Sequence, residues 1–388
     1  MAEATAGLPI EPTLERAPSS PWRVATRRLL GKRIALTALV IITIFYLMGL
    51  FAPVLAPQDY RNQDLENTLQ APSQEHLLGT DRLGRDMLSR VIWAARTTII
   101  VTVATVVTGG LVLAVGLGML SGYAGGKTDT AIMRTGEVFA SLPALPLLIL
   151  INTTMRFRAK QSVEWLESHI SSEALQDALE ARSGPEFVFI VILGLLAAAG
   201  LLGLVAWLAA GEERRSGVWL VPGVVAAFVI LSLWLVQGIF ATGGAEDYFL
   251  IFGALALFSW VGGARVIRSQ VLSLRETEYV LAARAMGAST SRILMSHLLP
   301  NVSPIIIVSV SAGLGAIAGA EIALTFLGVG IHEPTPSFGA LIYEASNLRT
   351  IDNYPYLLLA PAIVVAMLIF SFNLLGDALN DVLTPRSR

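Results

Sequence analysis

The chain alternates between long uncharged apolar runs and shorter polar segments. The apolar runs lie near 34–55, 97–121, 137–155, 187–210, 218–240, 248–264, 303–327 and 355–376. A bilayer core takes about 20 apolar helical residues to cross, so the pattern predicts an all-α polytopic transmembrane bundle of about 8 spans. The third run ends at Arg156, and the sixth is short. Small residues recur every fourth position at Gly110, Ala114, Gly118 and Gly122, and again at Ser311, Gly315 and Gly319. In lipid such ladders let helices approach closely, where packing must replace the hydrophobic effect.

The polar pieces divide the chain into a tail (1–33), a first anchor (34–55) and an external loop (56–96). A core over 97–155 and 246–385 follows, interrupted by 156–245. Residues 1–21, rich in Pro, Ala and Glu, have the composition of a disordered tail and are too polar for a secretory signal. The first span therefore reads as a retained anchor. The glycines and aspartates of 78–86 suggest a turn leading into a helix, and 328–354, with Pro334 and Pro336, reads as an irregular loop.

Charge sets orientation. Arg23, Arg27, Arg28, Lys32 and Arg33 crowd the front of the first span, which places the N-terminus inside. Alternation then puts Lys127, Arg134, the basic run from Arg265 to Arg292 and Arg386 on the same side, so the topology is N-in and C-in. The composition agrees: 54% hydrophobic and 14% charged residues, against about 25% charged in soluble domains. A net charge of −2 argues against a nucleic-acid partner. The chain has no Cys, which excludes thiolate chemistry, and its four His show no metal-ligand spacing.

Two constellations bear on chemistry. Ser121-Gly-Tyr-Ala-Gly-Gly-Lys-Thr128 resembles a phosphate loop, but the first glycine position is Ser121 and an apolar helix precedes it. ATP binding by that route is excluded. Glu321 lies inside an apolar run near its outer end; a buried carboxyl is by default a functional hypothesis, here an outer gate or part of the translocation pathway. A shallow acid paired with a neighbouring helix or loop is the plainer reading. No second carboxylate or Ser/Lys pair accompanies it, so intramembrane catalysis has no support and the chain reads as no enzyme.

Segment 265–302 stands out because it is charged, Ala-rich and internal. Ser273-Leu-Arg-Glu276 has capping-box spacing and predicts a helix start near 274. Gly287 offers a left-handed stop. Alanines at 282, 283, 285 and 288 leave a low-relief surface, and Arg275, Arg284 and Arg292 could meet carboxylates on a soluble partner. Too few bulky apolar residues line one face for a lipid-anchored helix.

This segment resembles the cytoplasmic coupling loop of ABC importer permeases, Glu-Ala-Ala, three residues, Gly, nine residues, Ile-x-Leu-Pro. The chain has Leu281-Ala282-Ala283, three residues, Gly287, nine residues, then His297-Leu298-Leu299-Pro300, so Leu281 and His297 replace the Glu and the Ile. Gly79-Thr-Asp-Arg-Leu-Gly-Arg-Asp86, Gly122-Tyr-Ala-Gly-Gly126, Glu321-Ile-Ala-Leu-Thr-Phe-Leu-Gly-Val-Gly330, Pro336-Ser-Phe-Gly339 and Asn373-Leu-Leu-Gly-Asp377 are similar to the C-type permease subunit of dipeptide, oligopeptide and nickel importers. The resemblance covers about 30–150 and 246–388. It leaves 153–246 as an insertion: an external charged segment and two further spans, an even number that preserves downstream sidedness.

The resemblance implies a heterodimer with a B-type permease subunit, two cytoplasmic ATPase subunits and an external substrate-binding protein. ATP and Mg would belong to the ATPase, and this chain would bind no cofactor. The coupling loop spans 268–302, with Glu278, Tyr279, Ala282, Ala283, Arg284, Gly287 and Ala288 as docking residues. Peptides are the implied cargo, with nickel or glycan-type solutes as alternatives. A self-sufficient secondary transporter would need an inverted repeat or coupled buried charges, and it leaves 274–300 unexplained.

Overall fold

The computed structural model describes residues 31–143 and 245–383, together with positions 29, 146, 147, 149, 150 and 154. Every element among them is helical, with no strand. In chain order they are α1 (Arg33–Leu50), α2 (Ala52–Leu55), α3 (Met87–Ala124), α4 (Gly126–Ser141), α5 (Ala245–Leu274), α6 (Glu278–Ala285), α7 (Thr290–Phe326), α8 (Phe338–Ala345), α9 (Leu348–Asn353) and α10 (Tyr356–Leu383).

Five of these stretches are long and apolar enough to cross a bilayer: α1, α3, Asp247–Leu274 of α5, α7 and Tyr356–Val382 of α10. At 1.5 Å per residue, the 38 residues of α3 and the 37 of α7 reach about 57 and 56 Å. A hydrocarbon core is about 30 Å thick, so both helices project well beyond it.

Small residues set the packing. An added Cβ on Gly118 would lie 2.8 Å from the Ala264 carbonyl, and one on Gly122 2.8 Å from Val271 Cβ. Gly109 presses equally closely on Ala256. Residue numbers rise together along both helices, so α3 and α5 run parallel. On the other side Gly315 meets Phe372 and Gly376 meets Ala312, which sets α7 and α10 antiparallel. Each ladder expected from spacing is thus a helix-packing seam, except that Gly110 faces only its own helix at Val106. Helix α4 runs back along α5, with Asp129 at Arg268, Gly136 at Val261 and Phe139 edge-on to Phe258.

These pairings define two ends. The proximal end gathers Lys32, which bonds Asp381 at 2.9 Å, the last turn of α3, and α6. The distal end gathers 56–86, Asp247 and 328–356. There Tyr356 Oη donates to the Leu69 and Gln70 carbonyls, and His332 pairs with Asp247 at 2.9 Å. The main core, including Phe45, Ile100, Ile322, Phe338, Leu341 and Phe372, lies between α1, α3, α7, α8 and α10.

Several sequence expectations change. The run 97–121 is part of a helix that begins at Met87, because Asp86 accepts the Ser89 N–H and caps it. The short run 248–264 belongs to α5, which overruns to Leu274. Ser273 therefore caps nothing: its hydroxyl donates to the Gln270 carbonyl, and the next helix starts at Glu278 instead of near 274. The run 303–327 is continuous with 290–302, because π-helical turns over Ile293–Leu298 widen the backbone ahead of Pro300 and relieve the ring's clash with the preceding turn. The expected irregular loop 328–354 holds α8 and α9, capped by Ser337 and Asn347. The runs 187–210 and 218–240 lie outside the described residues, and of 137–155 the structure describes 137–143, with 137–141 closing α4, and scattered positions beyond.

Candidate functional site

Helix α6 is short because its ends are defined chemically. Thr277 stands before it in an extended conformation. At the far end Gly287 adopts φ +79°, the Ala288 N–H bonds the Ala283 carbonyl, and the Gly287 N–H bonds the Arg284 carbonyl. That pair of bonds is a Schellman stop, which needs a residue free to enter the left-handed region. Ser289 then restarts the chain by accepting from the Arg292 N–H. Eight helical residues and one glycine thus turn the chain from α5 into α7.

The underside of α6 is pinned. Val280 and Ala283 are buried with Met119, Ile267, Val271, Ile293, Leu298 and Val302, and Ala288 packs against the same cluster. Of the seven proposed docking residues, Glu278, Tyr279, Ala282, Arg284 and Gly287 are exposed. Ala288 is half-buried, and Ala283, 3% exposed, faces the bundle and supports the helix from below. Sequence reasoning passed over Leu281 and Met286, the latter 83% exposed, which make the outward surface more apolar than its alanines suggested.

The basic residues divide. Arg292 is exposed. Arg275 donates from Nη1 to the Gly122 carbonyl at 3.1 Å and from Nε to Glu276 at 3.0 Å, and the Arg284 guanidinium lies 5.5 Å from the centre of the Tyr123 ring. Nearby, Asp129 accepts two bonds from Arg268 at 2.5 Å and one from Ser121 at 2.5 Å. The Arg268 hydrogen bond holds the Asp129 carboxyl below its ordinary range; burial opposes this and the Ser121 bond assists it. The phosphate-loop look-alike is here an ordinary helix junction, with Gly125 between α3 and α4.

At the distal end the Gly79–Asp86 motif builds a turn on Asp81. Its Oδ1 accepts the Leu83 and Arg85 N–H groups, and its Oδ2 accepts Arg85 Nε at 2.7 Å and Arg90 Nη1 at 2.6 Å. Gly84 sits at φ +70°, where any Cβ would overlap the Asp64 carbonyl. Arg90, 2% exposed, also makes a two-pronged bond to Glu344, and Arg85 reaches Glu333 at 2.9 Å. Burial would raise the Glu333 carboxyl, but the Arg85 bond and the charges of Arg85 and Arg90 hold it below the usual range. Removing Asp81, Arg85 or Arg90, its buried members, leaves an uncompensated charge, at about 3–5 kcal/mol. The network therefore locks 81–90 to 333–344. Sequence spacing gave no sign of this pairing, since the partners lie 248 and 254 residues apart.

Glu321 is fully buried, deeper than its position near a span end suggested. Its Oε2 accepts from Thr98 at 2.8 Å and its Oε1 from Thr325 at 3.3 Å. Through the Thr98 bond it joins α7 to α3.

Two polar ends, long apolar helices between them and a short exposed helix at one end define an integral membrane component of the polytopic helical class. Within that class the chain belongs to the binding-protein-dependent transport system inner membrane components, the family that matches residues 114–388. Residues 20–72 match the N-terminal TM domain of oligopeptide transport permease C. The oligopeptide transport system permease protein OppC of Bacillus subtilis is 27% identical over 369 residues, covering 95% of this chain and 91% of that protein. The dipeptide transport system permease protein DppC of Alkalihalophilus pseudofirmus is 28% identical, at 95% and 91%. OppC of Escherichia coli is 29% identical over 377 residues, at 97% and 94%. These relatives are membrane permeases and not enzymes.

Proposed function

We propose that the chain is one permease subunit of an ATP-driven importer of peptides, forming half of the translocation pathway. Its partners in this reading are a B-type permease subunit, two cytoplasmic ATPase subunits that use ATP and Mg, and an external substrate-binding protein. The observation that carries the proposal is α6. Its underside is fixed in the bundle, its outward face is exposed, and its Gly287 stop is built for a defined orientation. Such a helix can take a push from a soluble partner without bending. Closure of the ATPases would move it and swing the bundle between outward- and inward-facing states.

Peptide cargo is supported by the oligopeptide and dipeptide permeases among its relatives. The N-in, C-in topology is supported by geometry: Lys32, α6 and Asp381 share the proximal end, so an internal α6 places both ends of the described bundle inside. Helix α4 heads away from that end, and α5 begins at the distal end. That arrangement is compatible with an even number of added spans, as the eight-span reading has.

The test is co-purification. The permease pair expressed with its ATPase should yield a stable complex, and Gly287→Trp, which forces a bulky residue into the left-handed region, should lose the ATPase while the permease still inserts. Unaided peptide transport by this chain in proteoliposomes would overturn the proposal.

A further inference from the structure

We infer that Arg275, Arg284, Tyr123 and Asp129 form an internal clamp binding the coupling helix to α3, and that these are positioning residues and not contacts for the ATPase. The inference rests on the reading of α6 given above and deepens it.

Helix α6 is covalently joined to α5 on one side and α7 on the other, but α3 is remote in sequence. Its last turn makes three contacts at consecutive residues, one to α4 and two to α6 and the stretch leading into it. Ser121 bonds Asp129, the Gly122 carbonyl accepts from Arg275, and the Tyr123 ring faces Arg284. Asp129 in turn grips Arg268 on α5 with both oxygens. Beneath them Gly118 and Gly122 press α3 onto the α5 backbone. Close-packed seams of this kind resist both sliding and separation. The last turn of α3, the start of α4, the end of α5 and α6 are therefore one rigid body.

The consequence lies at the other end. Helix α3 runs 38 residues to the distal side, where Arg90 enters the Asp81–Glu344 network and Thr97 donates to the Pro336 carbonyl. One residue further along, Thr98 holds Glu321 on α7. A displacement received by α6 is thus delivered through Tyr123 to a helix that reaches the external lock directly. In this arrangement Arg284 is engaged within the chain, and removing its ring partner should damage transmission and leave docking intact.

The chain contains no cysteine, so two introduced ones can carry spin labels. With labels at Ala282→Cys and Leu120→Cys in the full-length chain in lipid nanodiscs, the distance distribution should be narrow. Adding Tyr123→Ala should broaden it, and Tyr123→Phe, which keeps the ring face, should restore it. In the full importer, Tyr123→Ala should retain the ATPase subunits on co-purification and keep ATP hydrolysis, yet lower peptide uptake by about 2- to 5-fold, the equilibrium shift of an exposed cation–π contact. Exchanging the charges as Asp129→Arg with Arg268→Asp should restore uptake lost in Asp129→Arg alone. An unchanged distribution in Tyr123→Ala overturns the clamp whether or not any ATPase binds. Loss of the ATPase from Tyr123→Ala, with the distribution unchanged, assigns Arg284 to the partner instead. Failure of the unaltered chain to hold an ATPase, with the distribution still sensitive to Tyr123, sinks the reading of α6 and spares the clamp.

Discussion

At the scale of single residues, the informative positions are those where chemistry leaves few choices. Gly287 was legible in the sequence because a helix that must stop there needs a residue tolerant of positive φ, and the structure gives +79°. Its surroundings are open, with nothing near an added Cβ, so the penalty for substitution is conformational alone. Gly287→Ala should destabilise the α6 stop by about 1–2 kcal/mol, and Gly287→Asn by less. Thermal unfolding in detergent would order the three, and equal stability of all would refute the left-handed requirement. Asp129 illustrates what the sequence conceals, since its partner Arg268 sits 139 residues away. The folded carboxyl titrates below its ordinary value, chiefly through the Arg268 bond. The stabilisation it adds is therefore complete above the unfolded value and is lost only as pH falls through the folded one. The Asp129–Arg268 contact should be unaffected from about pH 5 to pH 8 and fail only in stronger acid. A label pair across α4 and α5 that loosened between pH 7 and pH 6 would contradict this.

At the scale of elements, periodicity located the helices and misjudged their ends. Apolar runs mark what lies in lipid, but helices continue wherever the backbone can keep its hydrogen bonds. So α3 begins at Met87 on the Asp86 cap, and α7 begins at Thr290 despite Pro300 and Pro304, which suggest a break. The capping-box spacing at 273–276 misled because α5 runs through it to Leu274. The small-residue ladders were legible as packing seams, but the side facing a neighbour was not. Gly118 and Gly110 belong to one ladder, yet only Gly118 touches α5. Gly118→Ala would place its Cβ 2.8 Å from a backbone carbonyl that cannot move aside, and should destabilise the bundle by about 1–3 kcal/mol. Gly110→Ala, with only Val106 of its own helix at 3.7 Å, should be neutral or mildly stabilising. Comparing the melting temperatures of the two variants in one detergent tests the assignment, and equal losses would show that the seam has been placed wrongly.

At the scale of the whole molecule, the distinctive question is what 156–245 contributes. The sequence marked it as an insertion of even span number into a six-span core, and the described residues supply the boundary conditions. Helix α5 is anchored at its start by contacts among the described residues. The Asp247 carboxylate accepts the His332 N–H at 3.0 Å and pairs with His332 Nδ1 at 2.9 Å, and the Tyr248 hydroxyl bonds Thr97 at 3.2 Å. Farther along, α5 is held to α3 by the glycine seam and to α4 by Asp129. These contacts, all among the described residues, surround the proposed coupling helix and its route to the distal network. A chain with 157–245 deleted should therefore still insert, still retain the ATPase subunits and still carry out ATP-driven peptide uptake with its partner permease and binding protein. Assembly with uptake abolished would place the deleted segment in the pathway itself. Loss of assembly would instead show that it holds the partner permease. Because α4 runs toward the distal end and α5 begins there, a linker in place of the deleted residues should keep every downstream element on its original side of the membrane, so the outcome reports on the segment and not on inverted topology.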